Sequence, residues 1–468
     1  MFDLLKYKDN TAVITDRGES LTYSKLQKEV DEFYAHIPSK GFLFCLCENV
    51  LASFVGYVAC MNKHVASVLL DGSKDLELVQ RLVSTYHPEY IWMPAKRVEE
   101  IGGTTLYEYK GYVLQQMAYE ENFIERGIHP DLALCLTTSG STGSPKLVRL
   151  SEKNLKSNAE SIAEYLHIDE HERPLTTLPM YYSFGMSVIN SHLIKGATIL
   201  LTDKAVIQKE FWTFLKEQEA TSISGVPYTY EMLKRLRFFR MDLPYLKTMT
   251  QAGGKLNAAY VKEFVDFAEA NGKQFIVMYG QTEAAPRMSY LPHEKSVEKC
   301  ASIGIPVPGG RFSLIDSDGN EIETAGVDGE LVYRGENVCL GYAEQRADLA
   351  KGDENHGELH TGDVARRDEE GYYYITGRMK RFVKIWGNRT NLDATEQLVK
   401  AITPSCACAG VDDKITVFVT EEGLDQKIKD LLVAKTGFNP RAFEVRVIPE
   451  IPKNGSGKVL YKDLQAML

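Results

Sequence analysis

Short apolar runs alternate with amphipathic segments through much of the chain. The runs predict buried strands, because each is brief, rich in branched or aromatic residues and bounded by polar or glycine positions. Strands that alternate with helices in this way predict parallel α/β layers. The helix predicted over 151–165 is expected to carry Asn154 and Asn158 on its surface. The clearest strand predictions fall at 42–47, 66–70, 90–93, 132–136, 147–150, 197–201 and 275–278, and further helices at 49–61, 75–86 and 209–217.

The pattern changes after Ile303. Glycine and proline punctuate short strands from Ile303 to Tyr342, which is typical of a β-rich subdomain. Two strings that end in Gly-Asp and Gly-Arg follow, at 360–363 and 371–378. They lie near enough in sequence to form one hairpin.

Composition narrows the class of protein. The 468 residues allow several domain-sized units, and 44% hydrophobic with 25% charged residues is ordinary for a globular chain. A net charge of −10 argues against a nucleic-acid partner. The N-terminus lacks an export signal and no apolar run could form a membrane span, so we expect a cytoplasmic protein. The eight cysteines lie in apolar strings without a CxxC pair, which predicts buried reduced thiols.

The stretch 136–146 concentrates hydroxyls, glycines and a lysine directly after a predicted strand. Glycines allow several N–H groups to point at one anion, and Lys146 adds a charge suited to phosphate. The order of residues differs from the P-loop of NTPases, because Ser144 and Pro145 separate the glycine from the lysine. On composition alone, a phosphate cradle and a flexible surface turn fit equally well. The candidate phosphate ligands are Thr138, Ser139, Gly140, Ser141, Thr142, Gly143 and Lys146.

This loop resembles the signature loop of the adenylate-forming enzymes. That superfamily holds acyl-CoA synthetases, adenylation domains of peptide synthetases and firefly luciferase. Similar motifs follow one another along essentially the whole chain: SLTYSKL at 20–26, LPMYYSFG at 178–185, YGQTE at 279–283, HTGD at 360–363 and PKNGSGK at 452–458. A chance match explains any one of these strings, but not the ordered set.

The resemblance implies a site for ATP and Mg²⁺. Tyr279 would stack on adenine, Thr282 would contact the α-phosphate and Glu283 would bind magnesium, roles that suit an aromatic face and a hard carboxylate ligand. Asp363 would accept hydrogen bonds from both ribose hydroxyls, and Arg378 would reach the ribose and phosphate. The implied catalytic residues are Lys458, Thr282 and Glu283, and Gly253, Gly254 and Gly280 complete the implied nucleotide site.

Residues near the acyl group follow from the same resemblance. Tyr182 and Gly185 are implied to border the acyl pocket or the thiol tunnel, and Lys384 lies in the loop implied for the thiol step. No aspartate between 180 and 190 is present to hold an α-ammonium, which disfavours an amino acid substrate. Arg287 either pairs with a substrate carboxylate or sugar hydroxyl in the acyl pocket, or is a surface arginine.

The implied architecture is an α/β protein in two parts. A large N-terminal AMP-binding domain over 1–379 would hold layered α/β subdomains and a β-rich subdomain. A small mobile α+β C-terminal lid over 380–468 would turn about a hinge at Lys380. The lid is short by family standards and Leu392 replaces a usual proline, so the acceptor stays open between CoA and the phosphopantetheine of an acyl carrier protein.

The implied reaction activates a small-molecule carboxylate with ATP to an acyl-adenylate, releases pyrophosphate and transfers the acyl group to a pantetheine thiol. An amino-acid-adenylating enzyme that loads a carrier protein is the nearest alternative. A luciferase-like oxygenase and a non-catalytic nucleotide-binding relative would share these motifs. The acyl chain depends on side-chain packing that the sequence does not display.

Overall fold

The structure is a computed structural model that describes residues 1–39, 41–73, 76–119, 127–137, 146–386, 388–453 and 459–468, with the side chains of 380, 382 and 389 excepted. Its helices are α1 Tyr23–Ala35, α2 Leu51–Asn62, α3 Leu76–Tyr86, α4 Val98–Ile101, α5 Glu152–Tyr165, α6 Ser183–Leu193, α7 Lys209–Glu217, α8 Pro227–Arg235, α9 Ala258–Ala270, α10 Leu392–Val399, α11 Asp425–Thr436 and α12 Tyr461–Ala466.

The strands are mostly short. They are β1 Thr11–Thr15, β2 Ser20–Thr22, β3 Leu43–Cys47, β4 Ser67–Asp71, β5 Tyr90–Pro94, β6 Thr104–Tyr109, β7 Tyr112–Gln116, β8 Leu132–Thr137, β9 Leu147–Ser151, β10 Pro174–Leu175, β11 Ile199–Leu201, β12 Ser222–Gly225, β13 Thr248–Gln251, β14 Gln274–Gly280, β15 Arg287–Tyr290, β16 Ile305–Pro306, β17 Arg311–Ile315, β18 Gly329–Arg334, β19 Gly341–Ala343, β20 Glu358–Arg367, β21 Tyr373–Arg378, β22 Phe382–Ile385, β23 Asn388–Asn391, β24 Cys406–Val411, β25 Lys414–Val419 and β26 Phe443–Val447.

Two large sheets and three small ones account for the strands of the described residues. The large sheets have the orders β16-β15-β14-β13-β12-β10-β11-β1-β2 and β19-β9-β8-β4-β3-β5-β7-β6. Their inner strands run parallel: β13 pairs with β12 and β14, and β4 pairs with β3 and β8. The small sheets are β17-β18-β20-β21, β22-β23 and β24-β25-β26. The predicted α/β class is confirmed.

Strand β3 shows why the apolar runs become central strands. All five of its residues are buried. Leu43 and Cys45 belong to the core on one face of the sheet, whereas Phe44 and Leu46 belong to the core on the other. A parallel strand covered on both faces needs apolar residues at every position, so the run shows no polar alternation. All eight cysteines are free and seven are buried, which confirms the prediction of reduced, buried thiols.

The chain packs as two compact units. The first comprises 1–300, 306–311 and 334–359, and the second comprises 301–305, 312–333 and 360–468. The second unit holds its own apolar core, in which Ile385 and Val417 are buried together with Val399 of α10 and Leu432 of α11. This division follows packing rather than movement, so the hinge expected at Lys380 stays a prediction. Every helix in the described ranges is too short or too polar to cross a bilayer.

The prediction of two surface asparagines on α5 is wrong. Asn154 is 6% exposed and Asn158 only 1%. Asn154 completes a capping box with Ser151 and donates its side-chain amide to the carbonyl oxygens of Glu336 and Val338, at 2.7 Å each. These side-chain amides form hydrogen bonds with carbonyl groups of segments that are distant in sequence. A helical pattern alone does not reveal such partners.

Candidate active site

Several predicted residues lie at one edge of the first large sheet. Strands β12, β13 and β14 are neighbours in parallel register, so their carboxyl ends meet there. Gly253 and Gly254 follow the end of β13, and Tyr279 and Gly280 form the end of β14. Ligand sites of parallel α/β sheets collect at this edge.

A tight reversal after β14 presents Thr282 and Glu283. Strand β15 returns antiparallel to β14, so that Gly280 lies opposite Arg287. A Cβ atom on Gly280 would lie 1.8 Å from the carbonyl oxygen of Pro286, so only glycine fits the reversal. Thr282 begins a short 3₁₀ turn that continues through Glu283. Both side chains are therefore held close to the strand end.

The first turn of α6 contacts this reversal. The hydroxyl oxygens of Ser183 and Thr282 lie 3.2 Å apart. Tyr182 is the residue directly before the helix, and a Cβ on Gly253, which has a φ of 81°, would lie 2.7 Å from its phenol oxygen. Burial raises the pKa of Tyr182, so its phenol is neutral. Gly185 is buried in the same turn. Residues from three separate sequence motifs thus lie together.

Tyr342 connects the predicted phosphate lysine to the predicted magnesium ligand. Its hydroxyl donates to Glu283 Oε1 at 2.8 Å, and Lys146 Nζ lies 3.6 Å from the centre of its ring. Burial and the charge of Glu283 raise the pKa of Tyr342, so the phenol remains a donor. Lys146 also lies 3.7 Å from Glu344 Oε1. A cation, a phenol and a carboxylate are therefore assembled beside Thr282.

Sequence reasoning missed Tyr342. The residue lies on the three-residue strand β19, which pairs antiparallel with β9 so that Tyr342 is opposite Val148. This register places it beside Lys146, which immediately precedes β9. No periodicity predicts so short a strand paired with one so distant in sequence. The one local signal is the Gly-Tyr pair that ends the glycine-punctuated segment.

Most of the predicted phosphate loop lies outside the described residues. Its flanking strands pair antiparallel, with Thr137 of β8 opposite Leu147 of β9. The roles of the loop residues therefore stay predictions. The residues concerned are Thr138, Ser139, Gly140, Ser141, Thr142 and Gly143.

In the second unit, Asp363 and Arg378 face each other. Strands β20 and β21 form the predicted hairpin, with Asp363 opposite Arg378. Arg378 Nε lies 3.2 Å from Asp363 Oδ1. Asp363 is 3% exposed and its backbone N–H donates to Thr361 Oγ1, whereas the Arg378 side chain is 45% exposed. The hairpin presents a fixed carboxylate beside an accessible guanidinium.

The remaining second-unit candidates lie further along the chain. Lys380 lies in the 3₁₀ turn Met379–Arg381, and its side chain is not among those described. Lys384 is exposed on β22, where its N–H donates to Asp412 Oδ1 at 2.8 Å. Lys458 lies outside the described residues.

A buried cluster in the second unit contains Arg381, the residue after Lys380, and Tyr461, which lies shortly after Lys458. Arg381 Nε lies 2.5 Å from Asp393 Oδ1, and its Nη2 lies 3.3 Å from Glu396 Oε2. The guanidinium also lies 3.6 Å from the ring centre of Tyr461, whose hydroxyl donates to Glu396 at 3.1 Å. We call Arg381, Asp393, Glu396 and Tyr461 the Arg381 cluster.

Arg287 is not a surface residue. It is 2% exposed, and its guanidinium carbon lies 3.7 Å from the ring centre of Phe184, in the first turn of α6. The surface alternative is therefore wrong. That it faces the acyl pocket stays a prediction.

Comparison with known proteins shows which family the chain is similar to. A family model described as AMP-binding enzyme matches residues 3–343. The long-chain-fatty-acid–CoA ligase of Escherichia coli O157:H7 is 31% identical over 373 residues, which cover 74% of this chain and 64% of that protein. The feruloyl-CoA synthase of Amycolatopsis sp. is 28% identical over 348 residues, which cover 70% and 68%. The match thus spans less than two thirds of the E. coli relative.

A solved structure shares the fold. It is the o-succinylbenzoate CoA synthetase MenE of Bacillus subtilis in complex with ATP and a magnesium ion, with a TM-score of 0.77 and 21% identity. The superposition covers 99% of this chain and 98% of that one. The same protein has been solved with its acyl-adenylate intermediate, also at a TM-score of 0.77. The large α/β part and the smaller C-terminal part predicted from the sequence both have counterparts in this fold. Because the family model matches well over half of the chain, the chain belongs to the AMP-binding enzyme family.

Proposed function

We propose that this protein uses ATP to activate a small-molecule carboxylic acid as an acyl-adenylate and then transfers the acyl group to a pantetheine thiol. The observation that carries the proposal is the contact of Tyr342 with both Lys146 and Glu283. A lysine suited to phosphate thereby lies near a carboxylate suited to magnesium. Tyr279, half-buried at the end of β14, supplies an aromatic ring at the same strand edge for adenine.

Glu283 fits a magnesium ion that accompanies a nucleotide. Its Oε1 accepts from Tyr342, and its Oε2 is a hard oxygen ligand of the kind that Mg²⁺ prefers. Across the described ranges, no group of three or more His, Cys, Asp or Glu side chains is placed to hold a metal. A single carboxylate suits Mg²⁺, because this ion commonly binds through one or two carboxylates together with substrate phosphates. When bound, the ion would neutralise phosphate charge.

The first half-reaction needs alignment rather than a general base. A carboxylic acid with a pKa of about 4 is already ionised at neutral pH. One carboxylate oxygen bonds to the α-phosphorus of ATP, the bond from that phosphorus to the bridging oxygen breaks, and pyrophosphate leaves. Lys458 would bridge the carboxylate and the α-phosphate, while Thr282 and the 138–146 loop donate to the phosphates.

The second half-reaction would follow a rotation of the lid. After pyrophosphate leaves, the domain 380–468 would turn about Lys380 relative to 1–379, which removes Lys458 and brings Lys384 to the site. A pantetheine thiol would enter past Tyr182, attack the acyl carbon and release AMP. The curated relatives are named for CoA thioesters, which supports CoA as the acceptor, and the phosphopantetheine of an acyl carrier protein offers the same thiol.

Activation of an amino acid for a carrier protein is the second candidate. No carboxylate lies between Met180 and Asn190, where an α-ammonium would need one. Arg287 instead places a cation against Phe184 in this region. A cation would repel an α-ammonium, which supports a plain carboxylic acid as the substrate.

The test is pyrophosphate release over a panel of acids. The purified protein is given ATP, Mg²⁺ and aliphatic, aromatic or dicarboxylic acids, or the matching α-amino acids, with CoA or with a phosphopantetheinylated carrier protein. We expect acid-dependent pyrophosphate, and with CoA equal amounts of AMP and thioester. Release with amino acids alone, or no release with any acid, would overturn the proposal.

A further inference from the structure

Arg287 is held in place by its backbone. Asn158 accepts from the Arg287 N–H at 3.3 Å and donates to its carbonyl oxygen at 2.8 Å. Asn337 donates to the same carbonyl at 2.9 Å. Because two buried amides fix the main chain at the start of β15, the direction of the side chain is set by the fold rather than by a local turn.

Aromatic groups surround the Arg287 guanidinium. It lies over the Phe184 ring at 3.7 Å, and the phenols of Tyr165 and Tyr182 lie near enough to raise the pKa of Arg287 against the effect of burial. Tyr165 in turn stacks on Tyr290, with ring centres 4.2 Å apart. Within the described residues, the buried Nε of Arg287 has no hydrogen-bond partner, and no carboxylate lies within ion-pair distance.

The other buried arginines in the described part of the chain each have a carboxylate partner, which Arg287 lacks. Three arginines with less than a tenth of their surface exposed each contact a carboxylate at 2.9 Å or less. The pairs are Arg97 with Glu100, Arg149 with Glu354 and Arg381 with Asp393. Arg287 is as buried as these and is the exception in the described part of the chain.

Arg287 cannot remove its buried positive charge by losing a proton. A guanidinium does not lose its proton in proteins, and an unpaired buried charge is costly. Burial lowers the pKa of Arg287, and the phenols of Tyr165 and Tyr182 counter that effect only in part. A planar carboxylate would accept from the free Nε–H and an adjacent N–H of the guanidinium fork.

The position of Phe184 shows where the Arg287 guanidinium lies relative to the implied acyl pocket. It lies between Tyr182, which borders the implied acyl pocket, and Gly185 in the first turn of α6. Ser183 of the same turn contacts Thr282. Only the side chain of Phe184 thus separates the Arg287 guanidinium from the implied acyl pocket beside Tyr182.

We propose that Arg287 binds a second carboxylate, carried by the acid that the enzyme activates, so that the substrates are dicarboxylic acids. This inference rests on the proposed function and names its substrate class. One carboxylate reacts with ATP, and the other pairs with Arg287 and replaces the missing partner. A monocarboxylic acid of equal length leaves the arginine unpaired and is rejected.

The experiment compares dicarboxylic acids with monocarboxylic acids of the same carbon number, from three to ten carbons. The readout is kcat/KM for pyrophosphate release, measured for the native protein, Arg287→Met and Arg287→Lys. We expect the native protein to prefer its best dicarboxylic acid by about 100-fold, because a site built to pair a polar group rejects analogues that lack it. In Arg287→Met this ratio should fall to about 1 while activity on the monocarboxylic acid is retained, and Arg287→Lys should recover part of the ratio.

Arg97→Met is the matched control, since it also removes a buried arginine from the first unit and should leave the ratio unchanged. A native protein that activates monocarboxylic acids as well as dicarboxylic acids would overturn the inference and leave the proposed function standing. An equal loss on both acids in Arg287→Met, with the ratio unchanged, would show a purely structural arginine. No acid-dependent release at all would defeat the proposed function itself. Where Arg287→Met does not fold, the ratio in the native protein still tests the substrate class, and the ratio in Arg287→Lys tests the role of Arg287.

Discussion

In the first unit, Glu283 accepts a hydrogen bond from Tyr342 and Thr282 lies against Ser183, so both side chains are held by neighbours that the fold brings from other segments. In the second unit, Lys384 is exposed on β22, and the Arg378 side chain is 45% exposed although it pairs with Asp363. Fixed geometry suits residues that would hold a nucleotide through both half-reactions, and Arg378, which precedes the proposed hinge at Lys380, would stay with them. The exposed Lys384 follows that hinge and suits a part that would contact the substrate in one half-reaction and leave it in the other.

The largest effect should come from Lys458→Ala. We expect adenylation to fall by about 10³-fold, because a charge that acts on the developing transition state is lost. Thioester formation from supplied acyl-adenylate should be nearly unchanged. Lys453→Ala, in the same stretch of chain, is the control and should affect neither. Equal losses in both half-reactions would remove the distinction between the two units.

A smaller effect is expected for Glu283→Gln. Adenylation should fall by about 10²-fold and should require more Mg²⁺, since the hard oxygen ligand becomes a neutral amide. Tyr342→Phe should cost about tenfold, because it removes a single hydrogen bond to that carboxylate. Initial rates of adenylation over a Mg²⁺ titration measure the effects of both variants, with Glu294→Gln, at an exposed position, as the control. An unchanged Mg²⁺ requirement in Glu283→Gln would speak against its role as a metal ligand.

Tyr461→Phe tests whether the second unit has a rigid part of its own. The change keeps the ring over Arg381 and removes the hydroxyl that donates to the buried Glu396. The free energy of unfolding should fall by about 1 kcal/mol in urea titrations. Tyr34→Phe, an exposed tyrosine of the first unit, should have little effect. If both variants unfold alike, the hydrogen bond from Tyr461 to Glu396 contributes nothing measurable to stability.

The smallest effect is pH-dependent. Hydrogen bonds from Arg446 and Lys414 lower the pKa of Glu444 to about 2. A lowered pKa adds stability above the ordinary value of 4.5, and this contribution is lost as the pH falls from 4.5 towards 2. Glu444→Gln should therefore be less stable than the native protein by under about 1 kcal/mol at pH 7, and the difference should shrink below pH 4.5 and nearly vanish at about pH 2. A difference that does not shrink as the pH falls from 4.5 to 2, or an equal effect of Glu450→Gln, would refute this.

Sequence and structure agree where the signal is local. Strand β3 was predictable because a parallel strand buried on both faces must be a continuous apolar run. The hairpin that pairs Asp363 with Arg378 was predictable because its two strings are close in sequence. The resemblance to adenylate-forming enzymes is confirmed by the family match.

The sequence failed where distant segments meet. Tyr342 reaches Glu283 through the register of β19 on β9, and no local pattern encodes that register. Asn158 was expected on the surface because asparagine is polar, yet it serves the backbone of Arg287. The role of each site residue stays a prediction, since the fold shows which side chains are neighbours and not what they bind.

The central claim is that a carboxylate oxygen of the substrate bonds to the α-phosphorus of ATP. An acid labelled with ¹⁸O in both carboxylate oxygens tests it directly, with ATP, Mg²⁺ and CoA, by mass spectrometry of the nucleotide product. The account predicts AMP that carries one ¹⁸O atom, because the oxygen bonded to phosphorus stays with AMP when the thiol attacks the acyl carbon. Unlabelled AMP, or ADP with the label in orthophosphate, would contradict it.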